Sequence, residues 1–223
     1  MYKLVTFDIY SASLNINGSA VPVVDRVLGL GEEKSTEFFK LWRTQQWNYL
    51  LLNNSMKTGF ESYRYITMKV LEYTEKKFGI SLTEEQKAQL FEIWTTFRAW
   101  PEAKEVIDEI KKRGYKVGML SNGDLDMLKP LEDSTGIEFD YIFSAEQAGG
   151  YKPCPDVYDV PLNALGLKKD EMLHVAGSSF DVMGAKSAGC HCAWSNRLKE
   201  YVLDERYKPD YELSNLYELL DIL

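Results

Sequence analysis

The sequence predicts an α/β fold, a doubly wound parallel sheet of the Rossmann-like kind with an inserted helical cap domain. Two observations support this prediction. Short buried strands alternate with helices from about residue 98 to the end of the chain, which is the pattern of parallel sheets. A further strand at residues 4–7 stands alone before a long region with helical periodicity. At 223 residues and 45% hydrophobic composition, the chain can bury such a core.

The first strand, Leu4-Val5-Thr6-Phe7, is apolar and ends at Asp8. From about residue 20 to residue 97, apolar side chains recur at helical spacing, as in the series Tyr63, Ile66, Val70. Thr83 precedes two glutamates and is a typical helix cap. We therefore predict a core domain over residues 1–14 and 98–223, and a helical cap domain over residues 15–97.

The remaining elements follow from the alternation of apolar runs, helical periods and terminal glycines. We predict helices over residues 102–113, 124–134, 156–165, 180–188 and 214–222, and strands over residues 117–120, 141–143, 173–176 and 192–194.

Composition excludes several classes of function. The net charge is −8, and an acidic chain is a poor ligand for the phosphate backbone, so nucleic acid is not an expected partner. No apolar run reaches the length of a membrane helix, and the N-terminus lacks a secretory signal pattern. We expect a cytoplasmic location, reduced cysteines and no membrane partner. The two histidines, His174 and His191, are isolated in sequence and are not expected to bind metal.

Polar side chains follow each of the predicted strands that precede a helix. Asp8 follows the first strand, Ser121-Asn122 the second, Lys152 the third and Asp181 the fourth. Because ligands bind at the carboxyl ends of parallel strands, these groups are expected to meet at one edge of the sheet. Helix capping would explain Ser121-Asn122 and Ser178 equally well.

This ordered set resembles the haloacid dehalogenase superfamily of hydrolases over nearly the whole chain. The matching motifs are Phe7-Asp8-Ile9-Tyr10, Leu120-Ser121-Asn122-Gly123, Tyr151-Lys152-Pro153 and Phe180-Asp181. Phosphatases of the superfamily carry a second acid where this chain has Tyr10, and an acidic pair where Asp181 stands alone. The motifs therefore resemble the metal-independent L-2-haloacid dehalogenase branch, which implies that no metal and no cofactor is needed.

The resemblance implies a role for each matching residue. Asp8 would attack a small carboxylic acid, and Arg43, in the motif Leu41-Trp42-Arg43, would receive the leaving halide together with Asn122. Lys152 would keep Asp8 ionised, and Asp181 would pair with Lys152 and orient water. The expected substrate-binding residues are Ile9, Tyr10, Trp47, Phe60, Ser121, Asn122, Tyr158, Ser178 and Phe180. Related dehalogenases tend to be dimers, so a homodimer is possible by analogy.

The sequence also departs from the branch. Ser11-Ala12 replaces the usual Gly-Thr, Ala176 and Ser178 replace a serine and an asparagine, and Trp47 replaces a smaller residue. We expect these changes to remove hydroxyl and amide donors around the nucleophile and to slow ester hydrolysis. They leave three alternatives open, namely ring opening of azetidine-2-carboxylate, a Mg²⁺-dependent phosphatase, and a binding module without catalysis.

Overall fold

The computed structural model describes residues 1–56 and 58–223. A six-stranded parallel sheet forms its centre, with the strand order β3-β2-β1-β4-β5-β6. The strands are β1 (Leu4–Phe7), β2 (Lys116–Ser121), β3 (Tyr141–Ser144), β4 (Met172–Ala176), β5 (His191–Ser195) and β6 (Tyr211–Leu213). Strand β1 lies in the middle and pairs with both β2 and β4. Asp8, the residue after β1, therefore lies near the centre of the edge formed by the carboxyl ends of the strands.

Within the described residues, eight α-helices fall into two groups, four in the insert between residues 15 and 97 and four in the rest of the chain. The first group is α1 (Ile16–Leu28), α2 (Glu32–Ser55), α3 (Tyr63–Phe78) and α4 (Glu84–Glu92). The second group is α5 (Ala103–Lys112), α6 (Leu125–Thr135), α7 (Pro155–Leu165) and α8 (Ser179–Ser187). Thr83 caps α4, as the sequence predicted, and it forms a capping box with Gln86.

Alternating strand residues supply two separate apolar clusters, one on each face of the sheet. Val5 and Phe7 pack with α5 and the C-terminal turn, whereas Leu4 belongs to the cluster that includes α7 and α8. Covering both faces is what allows parallel strands to be apolar throughout. The α/β prediction is therefore confirmed.

The two ends of the helical insert lie side by side next to the sheet. Leu14 and Ala99 form an antiparallel bridge, flanked by hydrogen bonds from the Asn15 amide to the Arg98 carbonyl at 2.9 Å and from the Trp100 amide to the Ser13 carbonyl at 2.9 Å. The four helices α1–α4 are thus connected to the sheet by two adjacent segments.

The C-terminus differs from the prediction. The expected helix over residues 214–222 is a shorter 3₁₀ turn at Leu216–Asp221, and strand β6, which was not predicted, precedes it. Two of the three β6 residues are exposed, so this edge strand is too short and too polar to show a strand period. Asn215 caps the turn by accepting a hydrogen bond from the Tyr217 amide. Among the described helices, none combines the length and apolarity that a membrane crossing requires.

Candidate active site

Asp8 lies at the carboxyl end of the central strand. Its backbone amide donates to the Val175 carbonyl at 2.9 Å, which extends the β1–β4 pairing by one residue. A π-helical turn over Ile9–Ser13 then carries the chain away from the sheet. Within this turn the Ser11 hydroxyl donates to Asp8 Oδ2. The sequence-based expectation that the nucleophile has lost its hydroxyl support is therefore wrong, because Ser11 supplies a hydroxyl from the neighbouring position.

Lys152 lies between two carboxylates. Its Nζ is 3.3 Å from Asp8 Oδ1 and 3.2 Å from Asp181 Oδ2, and its side chain is 2% exposed. The Lys152 amide donates to Asn122 Oδ1 at 2.9 Å, which fixes the backbone that presents the ammonium group. A buried ammonium requires such partners, because desolvation of an unpaired charge is costly.

Asp181 lies in the first turn of α8, which Ser178 caps by accepting a hydrogen bond from the Asp181 amide at 3.3 Å. The Tyr158 hydroxyl donates to Asp181 Oδ1 at 2.7 Å. Burial alone would raise the pKa of this carboxyl, but the Lys152 charge, the electrostatic effect of His174 and the hydrogen bonds from His174 and Tyr158 outweigh burial. They hold the pKa of Asp181 well below its usual value, so Asp181 is ionised at neutral pH.

His174 belongs to the same cluster, which sequence reasoning missed. Its Nε2 is 3.0 Å from Asp181 Oδ2, and its Nδ1 is 2.9 Å from Thr6 Oγ1. A signal was present in the sequence. A histidine inside the otherwise apolar strand Met172–Ala176 must be buried, and a buried imidazole needs polar partners.

Arg43 reaches this region from α2. Its Nη1 donates to Gln46 Oε1 at 2.6 Å and to the Tyr63 hydroxyl at 3.2 Å, and its guanidinium carbon lies 5.5 Å from the centroid of the Trp94 ring. These contacts hold the guanidinium over an aromatic cluster rather than in bulk solvent.

A cavity of about 340 Å³ connects these groups. Asp8, Arg43, Asn122, Lys152 and Asp181 line it together with Tyr10, Ser11 and Ser178. Trp47 and Phe180 form part of its wall, with ring centroids 5.7 Å apart. The volume is in the range of small-molecule sites, and most of its lining is apolar with a few convergent charges.

Four of the predicted binding residues lie outside the described lining of this cavity. Phe60 stacks on Tyr151, the neighbour of Lys152, with ring centroids 4.9 Å apart. The Ser121 hydroxyl is buried and accepts from the Gly123 amide at 3.0 Å. Ile9 is fully buried in the apolar core. Tyr158 is also buried, and its hydroxyl donates to Asp181. Helix and loop packing decides these orientations, and sequence spacing does not reveal them.

Tyr10, two residues after Asp8, is directed towards the helical insert. Its hydroxyl donates to the Trp94 carbonyl at 3.2 Å, and its ring stacks on Tyr63 with centroids 5.6 Å apart. Burial raises the pKa of Tyr10 well above its usual value. This hydroxyl is therefore a poor proton donor to a leaving group at neutral pH.

Over residues 1–56 and 58–223, no group of three or more His, Cys, Asp and Glu side chains is arranged to hold a metal ion. The position between the Asp8 and Asp181 carboxylates is taken by the Lys152 ammonium group.

Comparison with known proteins gives the family. The model of the haloacid dehalogenase-like hydrolases matches residues 2–189. The (S)-2-haloacid dehalogenase of Pseudomonas sp. (strain YL) is 26% identical over 222 residues, which cover 99% of this chain and 94% of that protein. Haloacetate dehalogenase H-2 of Moraxella sp. (strain B) is 26% identical over 212 residues, covering 94% of this chain and 92% of that protein.

The fold agrees with these matches. The structure of the L-2-haloacid dehalogenase of Xanthobacter autotrophicus with chloropropionic acid covalently bound superposes with a TM-score of 0.86 at 23% identity, covering 100% of this chain and 98% of that one. The family match spans most of the chain, and the sequence motifs resemble the same family. The chain therefore belongs to the haloacid dehalogenase-like hydrolases, and its similarity is to the L-2-haloacid dehalogenase branch of that family.

Proposed function

We propose that this hydrolase dehalogenates a short L-2-haloacid through a covalent ester on Asp8, without a metal ion. The observation that carries the proposal is the Lys152 ammonium group, buried between Asp8 and Asp181 at 3.3 and 3.2 Å. A fixed positive charge beside Asp8 favours its ionised form, and only the carboxylate is a nucleophile. The oxygens of Asp8 and Asp181 also accept hydrogen bonds from Ser11, Tyr158 and His174, so each of them already has a donor in place of a cation.

In the first step, a carboxylate oxygen of Asp8 attacks C2 of the substrate from the side opposite the halogen. The C2–halogen bond breaks, halide departs with the bonding electrons, and an ester joins Asp8 to C2. Arg43 and Asn122 line the same cavity and supply N–H donors for the departing anion. Trp47 and Phe180 give this cavity an apolar wall, and charged interactions are stronger beside apolar groups than in water.

In the second step, water attacks the ester carbonyl carbon of Asp8. The bond between Asp8 Cγ and the oxygen attached to C2 breaks, the 2-hydroxy acid leaves with that former Asp8 oxygen, and one proton is released. Asp181 and Ser178 line the cavity on the Asp8 side and are the proposed partners of this water. Ser11 remains hydrogen-bonded to Asp8 and would stabilise charge on the carbonyl oxygen during the attack.

We further propose that residues 15–97 act as the cap over this site. Three interactions between the helical insert and the sheet domain support it. Asp124 accepts hydrogen bonds from the Tyr63 and Arg64 amides, both at 2.8 Å, at the start of α3. The Tyr151 hydroxyl donates to the Glu61 carbonyl at 2.5 Å. Third, the Asn54 side-chain amide forms two hydrogen bonds with the Tyr151 backbone, both at 2.7 Å.

The decisive experiment is a single turnover in H₂¹⁸O with enzyme in excess over 2-chloropropionate. If Asp8 forms the ester, ¹⁸O enters the Asp8 carboxylate and the 2-hydroxy acid stays unlabelled. Direct attack by water would instead label the product and leave Asp8 unlabelled, which would refute the proposal. Asp8→Asn is the matched variant and should release no halide, and chelation by EDTA should leave the wild-type rate unchanged.

The same assay separates the alternatives. Ring opening of azetidine-2-carboxylate would use the same attack by Asp8, with a ring nitrogen leaving in place of halide, and is scored by substituting that compound. A phosphatase would release phosphate from small phosphoesters and would stop on chelation. Tyr10 argues against this class, because its hydroxyl contacts the Trp94 carbonyl and is not an acid of suitable strength. A binding module would show no turnover with any compound.

A further inference from the structure

His174 is placed where strand register forces it to meet the catalytic carboxylates. In the parallel β1–β4 pair, His174 is opposite Thr6, two positions before Asp8 on β1. Side chains paired in this way point to the same face of the sheet. The His174 side chain is fully buried, with Thr6 Oγ1 at 2.9 Å from Nδ1 and Asp181 Oδ2 at 3.0 Å from Nε2.

The contacts of Nε2 decide where the imidazole carries its proton. Because Asp181 is ionised, an unprotonated Nε2 at 3.0 Å would place two lone pairs against each other. Nε2 must therefore carry hydrogen and donate to Asp181 Oδ2. The Lys152 Nζ lies 3.4 Å from His174 Nε2, and with hydrogen on Nε2 these two donors do not bond to each other. Both donate to Asp181 Oδ2 instead.

Thr6 satisfies the other nitrogen. A threonine hydroxyl can donate to an unprotonated Nδ1 or accept from a protonated one, so the ring has a partner on both sides in either state. The remaining titratable groups around His174 come from each neighbouring element. They are Tyr158 on α7, whose ring is 5.5 Å away, Cys192 opposite it on β5, Asp181 on α8, Lys152 and Asp8.

We propose that His174 is a positioning residue of the catalytic site, which holds Asp181 through Nε2–H so that Lys152 stays between Asp181 and Asp8. This proposal rests on the proposed function. Its physical basis is the change of charge during the reaction. When Asp8 becomes an ester it loses its charge, and the Lys152 ammonium group is then drawn to Asp181 alone. The donor at Nε2 competes for Asp181 Oδ2 and fixes the carboxylate, which keeps the ammonium group within reach of the ester carbonyl.

The first test does not depend on turnover. The chain has two histidines, so the imidazole signals of ¹⁵N-labelled protein can be assigned with His191→Gln as the matched control. Correlation spectra of ring nitrogens with ring protons should show His174 with hydrogen on Nε2, whether or not Nδ1 is also protonated. Hydrogen on Nδ1 alone would overturn the proposal, because His174 could not then donate to Asp181.

The second test asks whether the donor matters for the chemistry. His174→Phe keeps a ring in the strand but removes the donor, and His174→Gln places an amide N–H near the position of Nε2. We expect His174→Phe to lower kcat about 10- to 100-fold with KM changed by less than about threefold, since a hydrogen bond to a buried charge is lost. His174→Gln should recover most of that loss.

Rates in this test are referred to the fraction of protein that forms an adduct at Asp8, so that misfolded protein is not counted. A His174→Phe variant with wild-type kcat would refute the positioning role, as would equal losses in the Phe and Gln variants. If wild-type protein turned over none of the compounds, the proposed function would fail, while the nitrogen spectra would still decide the hydrogen bond of His174.

Discussion

The side-chain amide of Asn54 pairs with both backbone groups of Tyr151. Asn54 Nδ2 donates to the Tyr151 carbonyl at 2.7 Å, and the Tyr151 amide donates to Asn54 Oδ1 at 2.7 Å. Asn54 belongs to α2, which also carries Arg43, whereas Tyr151 is next to Lys152. One side chain therefore connects the helix that presents the guanidinium with the loop that presents the ammonium group.

Asn54→Ala should lower the stability of the protein by about 1–3 kcal/mol, because it leaves two backbone groups without partners. It should also lower kcat, because the Lys152 loop loses its connection to α2. Urea unfolding and steady-state kinetics on 2-chloropropionate measure both effects. Leu52→Ala, on an exposed position of the same helix, is the control and should change neither. Wild-type kcat in Asn54→Ala would show that the loop holds its position without Asn54.

Arg43→Ala should slow formation of the Asp8 adduct by about 100-fold or more, because the departing halide loses a charged donor in a largely apolar cavity. Rapid quenching followed by mass spectrometry of the Asp8 peptide gives this rate directly. Arg26→Ala removes an exposed arginine from the same helical insert and should have no effect. Equal adduct rates in wild type and Arg43→Ala would remove Arg43 from the proposed chemistry.

Ser11→Ala should leave stability nearly unchanged but slow turnover by about 10- to 100-fold, because the Asp8 carboxylate loses the hydroxyl donor at Oδ2. Adduct formation and adduct decay, followed separately by mass spectrometry, show which step depends on the hydroxyl. We expect the substitution to slow adduct decay more than adduct formation, so that the adduct accumulates. Ser55→Ala, at an exposed hydroxyl, is the control. A variant with unchanged decay would leave Ser11 no part in hydrolysis.

Gly177→Ala should disturb the nucleophile itself. A Cβ at this position would lie 2.2 Å from the Ser11 carbonyl carbon and 2.3 Å from the Ala12 nitrogen, and backbone atoms cannot move aside as a flexible side chain does. We expect a loss of several-fold or more in turnover together with a lower Tm. Gly150→Ala, whose Cβ would meet its nearest atom at 3.4 Å, should be milder in both measurements. The reverse order would contradict the packing described here.

The depressed pKa of Asp181 predicts a pH dependence of stability. A carboxyl with a lower pKa in the folded state contributes stability above its unfolded pKa, about 3.9, and loses it as the pH falls towards the folded pKa. Wild type should therefore be more stable than Asp181→Asn at pH 7, and the difference should shrink below about pH 4. Urea midpoints across this range measure it, with exposed Asp126→Asn as the control. A difference that stayed constant with pH would mean that Asp181 stabilises the fold without its charge.

The sequence allowed the sheet, the helical insert and the main chemical groups to be predicted, because each rests on a local signal. Apolar runs mark buried strands, and polar residues at their ends meet at one edge whatever the loops do. The contact of Ser11 with Asp8 could not be predicted, since it depends on the π-helical turn over Ile9–Ser13. The place of Phe60 beside Tyr151 depends on how the insert packs on the sheet, which periodicity does not contain.

The position of β1 has a consequence for how the molecule assembles. Of the six strands of this sheet, β1 is made before the others, yet Leu4 pairs with Lys116 and Met172, so its partners are made roughly a hundred or more residues later. The helices of the insert, whose contacts are closer along the chain, can form in the meantime. Until β2 emerges, a nascent chain exposes an apolar segment with no neighbour, and this interval is where the protein is most open to aggregation and to capture by chaperones.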